Sequence, residues 1–234
     1  MRTDTLTTAT NTTHLALAGR LRQAEGDTGE SGDPRIHFAH ADTFLATASR
    51  RIAAMDAVLL PVVRAVLPDG GERVHEMVHH ARTLELSLAA VKAKLYGEAH
   101  AVHRVWAHVW QEAEDALRSY LTLESSLVDA LAQTLDPEAL DRLALQMHRM
   151  ELTAPSRPHP YTPHTGMRGR IARSMWAKAD RFWDAAEGRI IPEPEHPHHK
   201  APGLLAQYLL ADPRFDPEQS EEARVGDVSD TTQR

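Results

Sequence analysis

Two sets of residues in this sequence have the types and spacing of metal ligands. The first set is His75 and His79, which stand four residues apart. At that spacing two side chains on one helix can share a metal ion. The second set has one carboxylate in each of four predicted helices: Asp56, Glu85, Glu124 and Glu151. Carboxylates that converge from four helices are how helical bundles build di-iron and di-manganese sites.

The elements that carry these residues are predicted to be helices. Apolar residues recur with helical periodicity, which predicts four long helices over about 35–67, 72–96, 102–134 and 137–154. Their short connections favour antiparallel neighbours. The predicted fold is therefore all-α: an up-down antiparallel four-helix bundle with a proline-strapped helical C-terminal extension. Pro61, late in the first helix, is expected to kink it.

The bundle is predicted to occupy residues 35–153, with a different kind of segment on each side. Residues 1–34 are expected to be flexible, with a short helix over 14–24, because the first 13 residues are rich in threonine. Residues 154–234 are expected to form a proline-rich strap (154–164), an amphipathic helix and a tail, all packed on the bundle. A short docking helix is expected over 204–210.

Helical geometry places each candidate ligand relative to the apolar stripe of its own helix. His75 and His79 fall opposite the stripe, so a solvated polar face is favoured over a surface metal clip. Glu85, Glu124 and Glu151 fall within their stripes. The remaining nearby polar residues lie beside or at the edges of the stripes: Arg51, Asp56, Tyr120 and His148. At about 1.5 Å per residue, the four carboxylates lie at similar depths in the bundle.

Such a carboxylate layer requires cations or protons, because an ionised buried carboxylate is costly unless it is paired or metal-bound. One hypothesis is a metal site. Its predicted ligands are Asp56, Glu85, Tyr120, Glu124, His148 and Glu151. The alternative is a salt-bridge layer, in which Arg51 and Lys92 are internal cations and Tyr120 is a hydrogen-bond donor.

Two motifs within residues 35–152 resemble the hemerythrin-like, HHE cation-binding family. The family hallmark is His-x-x-x-Glu followed by a run that ends in proline. In "DAVLLPVV", Asp56 stands at the glutamate position and Pro61 at the proline. In "YLTLESSLVDAL", Glu124 stands at the glutamate position. The resemblance implies a helical bundle around a non-haem iron site that binds dioxygen or responds to redox state or nitric oxide.

The sequence departs from this family at the histidine positions. Tyr120 replaces one histidine, Ile52 with Arg51 beside it replaces another, and Asp129 replaces the second proline. A retained site would therefore be rich in oxygen ligands, which suit iron or manganese, as a single or dinuclear centre. The expected function is a metal-binding bundle related to redox, oxygen or nitric oxide; whether it is an enzyme is open. The alternative is a metal-free interaction protein that docks through its strap and basic helix.

Composition restricts the remaining classes. The chain has 26 Lys and Arg against 33 Asp and Glu, a net charge of −7, so nucleic acid is not an expected partner. It has no cysteine, which excludes disulfides and thiolate chemistry. No run approaches the ~18 apolar residues of a membrane span, so no integral membrane association is expected and the predicted location is cytoplasmic. The basic helix 167–188 is a candidate surface for a protein partner. Its apolar side, with Ile171 and Met175, is expected to pack on the bundle.

Overall fold

The structure, a computed structural model, describes residues 5–26, 34–98, 101, 103–161, 163–187 and 192–194. Over these ranges the chain is all-α and forms no strand, which confirms the predicted fold class. The helices are α1 (Thr5–Gly26), α2 (Pro34–Ala54), a π-helical turn (Met55–Leu59), α3 (Leu60–Val66), α4 (Gly70–Leu95), α5 (Trp106–Thr134), α6 (Pro137–Thr153) and α7 (Gly166–Glu187). The predicted tail and the helix predicted over 204–210 lie outside the described residues.

The core lies where the helical periodicity placed it. α4 packs along α5, α3 packs on α4, and α2 packs on α6. Buried apolar side chains at three- and four-residue spacings face one another across these contacts, among them Leu45, Ile52, Met77, Leu84, Leu88, Leu117 and Leu131. His75 and His79 are exposed on α4, as their position opposite the stripe predicts. Asp136 accepts a hydrogen bond from the Ala139 amide at the start of α6 and caps that helix.

The irregularity predicted at Pro61 takes the form of the π-helical turn. Proline has no amide hydrogen to donate, and its ring crowds the carbonyl group four residues earlier. The wider π turn directly before α3 relieves both constraints, and Pro61 stands at the start of α3. Asp56 lies within this turn and is buried. The irregular helix predicted at Pro61 therefore changes the backbone around Asp56, which is one of the candidate ligands.

Helix α1 is the main difference from the predicted architecture. It begins at Thr5 and not near residue 14, and it packs on α2, α5 and α6 as a fifth helix of the bundle. Its buried residues repeat every three or four positions: Leu6, Thr10, Thr13, Leu17, Leu21 and Ala24. Threonine hydroxyls can be satisfied inside a helix, since Thr12 donates to the Thr8 carbonyl oxygen at 3.0 Å. The prediction that residues 5–13 are unstructured was wrong because it weighed composition over this spacing.

The strap and α7 are joined by Asp180. This buried carboxylate accepts hydrogen bonds from the amides of Ser156 (2.9 Å) and Arg157 (3.0 Å). Its Oδ2 also lies 3.3 Å from His159 Nε2, and the His159 ring stacks on Trp176 with centroids 4.3 Å apart. These contacts fix the strap against the helix that follows it.

The side of α7 that packs inward is the opposite of the predicted one. Gly169, Ala177 and Asp180 are buried, whereas Ile171 is 55% exposed and Met175 is 66% exposed. A Cβ atom at Gly169 would come within 2.5 Å of the Pro163 carbonyl oxygen, so glycine permits the close approach of strap and helix. The strap amides need a hydrogen-bond acceptor, and Asp180 provides it from the inward side of α7. Because Ile171 and Met175 stand on the opposite side of the helix, they face outward. No described helix is both long and apolar enough to span a bilayer.

Candidate functional site

Arg51 of α2 pairs with two carboxylates in the interior of the bundle. Its Nη2 lies 2.5 Å from Glu124 Oε1, and its Nη1 lies 2.5 Å from Glu151 Oε1. The Arg51 and Glu124 side chains are 4% and 0% exposed, and Glu151 is also buried. α2, α5 and α6 thus each supply one member of a buried triad, here called the arginine group. The contact with Glu151 is a hydrogen bond, and hydrogen bonds between two ionised partners are the strong ones, which suits groups removed from water.

The charges of the arginine group stabilise one another. Burial alone would raise the pKa of Glu124, but the Arg51 guanidinium and His14 lower it to about 2. Burial likewise works against the Arg51 charge, yet Glu124 and Glu151 raise the pKa of Arg51 above its ordinary value. The side chains of Glu124 and Arg51 are therefore both ionised over the whole physiological pH range.

Helix α1 completes this group with two residues that the sequence analysis did not place in it. His14 Nε2 lies 3.1 Å from Glu124 Oε2, and Arg51 Nη2 donates to Thr10 Oγ1 at 3.3 Å. Because a carboxylate only accepts, Nε2 carries the hydrogen, and His14 Nδ1 can accept from Ser125 Oγ at 3.4 Å. The four-residue spacing of Thr10 and His14, next to the Leu6–Leu17 stripe, is the signal that could have revealed them.

A second group of buried charges lies where the strap meets the bundle. His164 Nδ1 is 2.8 Å from Asp56 Oδ2 in the π turn, and His164 Nε2 is 3.4 Å from Glu85 Oε2 on α4. All three residues are buried. Both ring nitrogens of His164 face carboxylate oxygens, which favours the charged imidazolium. We call these three residues the histidine group.

The histidine group holds its protons near neutral pH. Burial raises the pKa of Glu85 to about 7; His164 and the His159 amide oppose the rise, and Asp56 adds to it. Burial works against the charge of His164, but its hydrogen bond to Asp56 raises the pKa of His164 overall. The adjoining cavity, lined by Asp56, Glu85, His164 and Trp176 among others, measures about 20 Å³, which is the size of a single water molecule. The strap buries His164.

Tyr120 and His148 lie near these groups without completing a ligand set. Tyr120 is buried, and its hydroxyl has no hydrogen-bond partner among the described residues. Burial, reinforced by Glu124, raises the pKa of Tyr120 well above its ordinary value, so the phenolate is strongly disfavoured. The hydrogen-bond donor role considered for Tyr120 is therefore not observed. His148 is buried on α6 and lines a small cavity together with Thr10, Arg51 and Glu151.

The six predicted ligands do not meet at one point. Glu124 and Glu151 are joined through Arg51, and Asp56 and Glu85 are joined through His164. Within the part of the chain that the structure describes, no three His, Asp or Glu side chains are arranged to hold a metal ion. The donor set does not fit a carboxylate-bridged metal centre, because the Arg51 guanidinium occupies the position between Glu124 and Glu151 that a bridged cation would need.

Of the two internal cations considered from sequence, Arg51 lies in the layer, while Lys92 is only half-buried. The layer contains two cationic side chains, Arg51 and the protonated form of His164, for four carboxylates, and Glu85 takes up a proton near pH 7. The interior of the bundle thus holds ionised side chains together with a carboxyl group that exchanges its proton near neutral pH.

Compared with known proteins, the chain matches no family model, no curated protein and no solved structure.

Proposed function

We propose that this chain is a metal-free, hemerythrin-like helical bundle that serves as an interaction protein. The observation that supports it best is the Arg51 guanidinium, 2.5 Å from an oxygen of Glu124 and 2.5 Å from an oxygen of Glu151. Arg51 and His164 supply the positive charge that metal cations supply in the family that the motifs resemble. The function expected first from the sequence, a metal-binding bundle related to redox, oxygen or nitric oxide, requires that Arg51 leave this position.

A role without catalysis is favoured by the space around the buried charges. The cavity beside the histidine group has room for about one water molecule, so a substrate would have to displace the strap to reach it. Carboxylates tied to internal cations are also poorly available as bases or ligands. The docking surface is then the strap with α7, where large apolar side chains are exposed.

The substitution Glu124→Gln separates the two functions. If Glu124 balances Arg51, the change leaves a buried guanidinium with one partner fewer and costs about 3–5 kcal/mol of unfolding free energy. The measurement is urea unfolding in the presence of EDTA, so that a metal cannot contribute. The matched control is Glu114→Gln on the same helix, where the ion pair with Arg118 is exposed and its loss should cost less than ~1 kcal/mol.

A small loss for Glu124→Gln in EDTA would contradict the proposal, and so would a metal in the purified protein. Elemental analysis after expression in iron-supplemented medium is expected to give less than about 0.2 metal ions per chain, with no thermal shift from Fe(II) or Mn(II), since a ligand that binds the folded state must raise its stability. A stoichiometric metal, lost in Glu124→Gln, would establish the metal-binding alternative.

A further inference from the structure

Exposed large apolar side chains are concentrated on the strap and the first half of α7. Of the nine in the described residues, four lie between positions 161 and 176: Tyr161 (90% exposed), Ile171 (55%), Met175 (66%) and Trp176 (42%). Ile171 and Met175 are one helical turn apart and share the outward face of the helix. A cluster of exposed apolar side chains marks a surface that binds a protein, a membrane or a ligand.

The same part of α7 is basic in an otherwise acidic chain. Residues 166–179 contain Arg168, Arg170, Arg173 and Lys178 and no acidic residue. This segment therefore carries +4, and the rest of the chain carries −11, since the total is −7. Lys178 is exposed and, by helical register, stands on the same face as Ile171 and Met175. The outward face thus carries a positive charge beside its apolar residues, within this segment of charge +4.

The way α7 is held keeps that face turned outward. Its opposite side is fixed by the close approach of Gly169 to the strap and by the hydrogen bonds of Asp180 with Ser156 and Arg157. Rotating the helix to bury Ile171 would expose Asp180 and leave the strap amides without their acceptor, which is costly for buried donors. The apolar and basic face is therefore a permanent feature of the fold.

We propose that the outward face of α7, centred on Ile171 and Met175, binds the surface of an anionic lipid bilayer. An interfacial helix lies flat, inserts apolar residues among the headgroups and places cationic residues against anionic lipid. The exposed Ile171, Met175 and Lys178, in a segment of charge +4, suit this arrangement. Tyr161 and Trp176 belong to the residue types that prefer the membrane–water interface. The inference rests on the docking role in the proposed function and is independent of the absence of a metal.

The net negative charge of the chain does not oppose this binding strongly. At physiological ionic strength the Debye length is about 8 Å, less than the 10–12 Å diameter of a helix with its side chains. Acidic residues on the far side of the bundle are therefore screened from a bilayer in contact with α7. Each Lys or Arg near an anionic surface should strengthen binding about five-fold.

The test is co-sedimentation of the full chain with vesicles of phosphatidylcholine alone and with vesicles containing about 30% phosphatidylglycerol. Binding is expected to the anionic vesicles only, and it should weaken as salt is raised above about 0.15 M. The double variant Arg168→Glu with Lys178→Glu should bind at least about 20-fold more weakly. The charge-matched control is Arg64→Glu with Arg142→Glu, two exposed residues on other helices, which should bind as the parent does.

The apolar contribution is tested by Ile171→Ser with Met175→Ser, which should weaken binding to anionic vesicles while leaving the unfolding midpoint unchanged, because both side chains are exposed. The proposal is overturned if the parent does not bind anionic vesicles at low salt. It is also overturned if Arg168→Glu with Lys178→Glu, or Ile171→Ser with Met175→Ser, binds as well as the parent. Binding to an acidic amphipathic peptide through the same residues, without vesicle binding, would assign the face to a protein partner. None of these outcomes depends on metal content, so they leave the Glu124→Gln test of the proposed function separate.

Discussion

At the residue scale, the four buried carboxylates contact two cationic side chains from different parts of the chain. Arg51 belongs to the bundle, and its pairing with Glu124 is independent of pH in the physiological range, because, against the effect of burial, Arg51 and His14 lower the pKa of Glu124 to about 2. His164 comes from the strap, so its contact with Asp56 and Glu85 depends both on strap docking and on a proton. Two neighbouring ion-pair groups thus respond to pH in different ways.

The histidine group predicts that stability falls as the pH rises from about 5 to 8. The pKa of Glu85 is raised from 4.5 to about 7 in the folded chain, so the folded state binds its proton more tightly and loses this advantage as the pH rises through that window. For Glu85 alone the loss is about 3 kcal/mol. The raised pKa of His164 acts in the same direction, because its contribution is present below its ordinary pKa of 6.5 and is lost at higher pH.

Glu85→Gln should make the unfolding free energy depend less steeply on pH, because it removes one of the two titrating side chains. The measurement is the urea unfolding free energy at a series of pH values, compared with Glu76→Gln, which changes an exposed glutamate of the same helix. A Glu85→Gln profile as steep as that of the parent would show that Glu85 does not titrate in this window.

At the element scale, α1 changes the nature of the site. It closes the side of the bundle that α2, α5 and α6 leave open, and it brings Thr10 and His14 to Arg51 and Glu124. The arginine group is therefore enclosed by four helices of the five-helix bundle. Helix α1, in the N-terminal segment that was expected to be flexible, is therefore part of the core.

Two leucines of α1 test this placement with matched chemistry. Leu17 is 1% exposed and Leu15 is 75% exposed on the same helix. Leu17→Ala should cost about 2–5 kcal/mol of unfolding free energy, because it removes buried surface and leaves a cavity. Leu15→Ala should change the unfolding free energy by less than about 0.5 kcal/mol. Equal, small effects in thermal or urea unfolding would place α1 outside the cooperative core.

At the scale of the whole molecule, the described residues all belong to one compact unit, Met1–His198. The strap is tied to the bundle by His164 and to α7 by Asp180, so a break at either point exposes buried charge. The buried ion pairs thus act between segments far apart in sequence, which couples their stability.

We therefore expect this unit to unfold in one transition. Far-UV circular dichroism, which reports on all helices, and tryptophan fluorescence, to which Trp110 of α5 and Trp176 of α7 both contribute, should give the same urea midpoint. Trp176→Phe combined with Trp183→Phe removes both tryptophans of α7 and should leave the fluorescence midpoint unchanged. An earlier transition that disappears with these two tryptophans would mean that strap and α7 undock before the bundle unfolds.

The sequence by itself determined the helices and the inward direction of their carboxylates. Helical geometry fixes the angle of each residue about its own axis, so the burial of Glu85, Glu124 and Glu151 followed from their position among Met77, Leu117 and similar residues. The same argument placed His75 and His79 in solvent. The failure at α1 was local as well: its stripe contains threonines, and composition was weighed over spacing.

Only the tertiary structure decided what the carboxylates meet. A helical repeat says which way Glu124 points, but it does not say whether a metal, Arg51 or His14 stands opposite, because that depends on the docking of other segments. His164 had no local signal for burial, since it belongs to a proline-rich stretch without periodicity. The orientation of α7 was likewise set by distant groups: the amides of Ser156 and Arg157 required Asp180, and this requirement outweighed the burial of Ile171 and Met175.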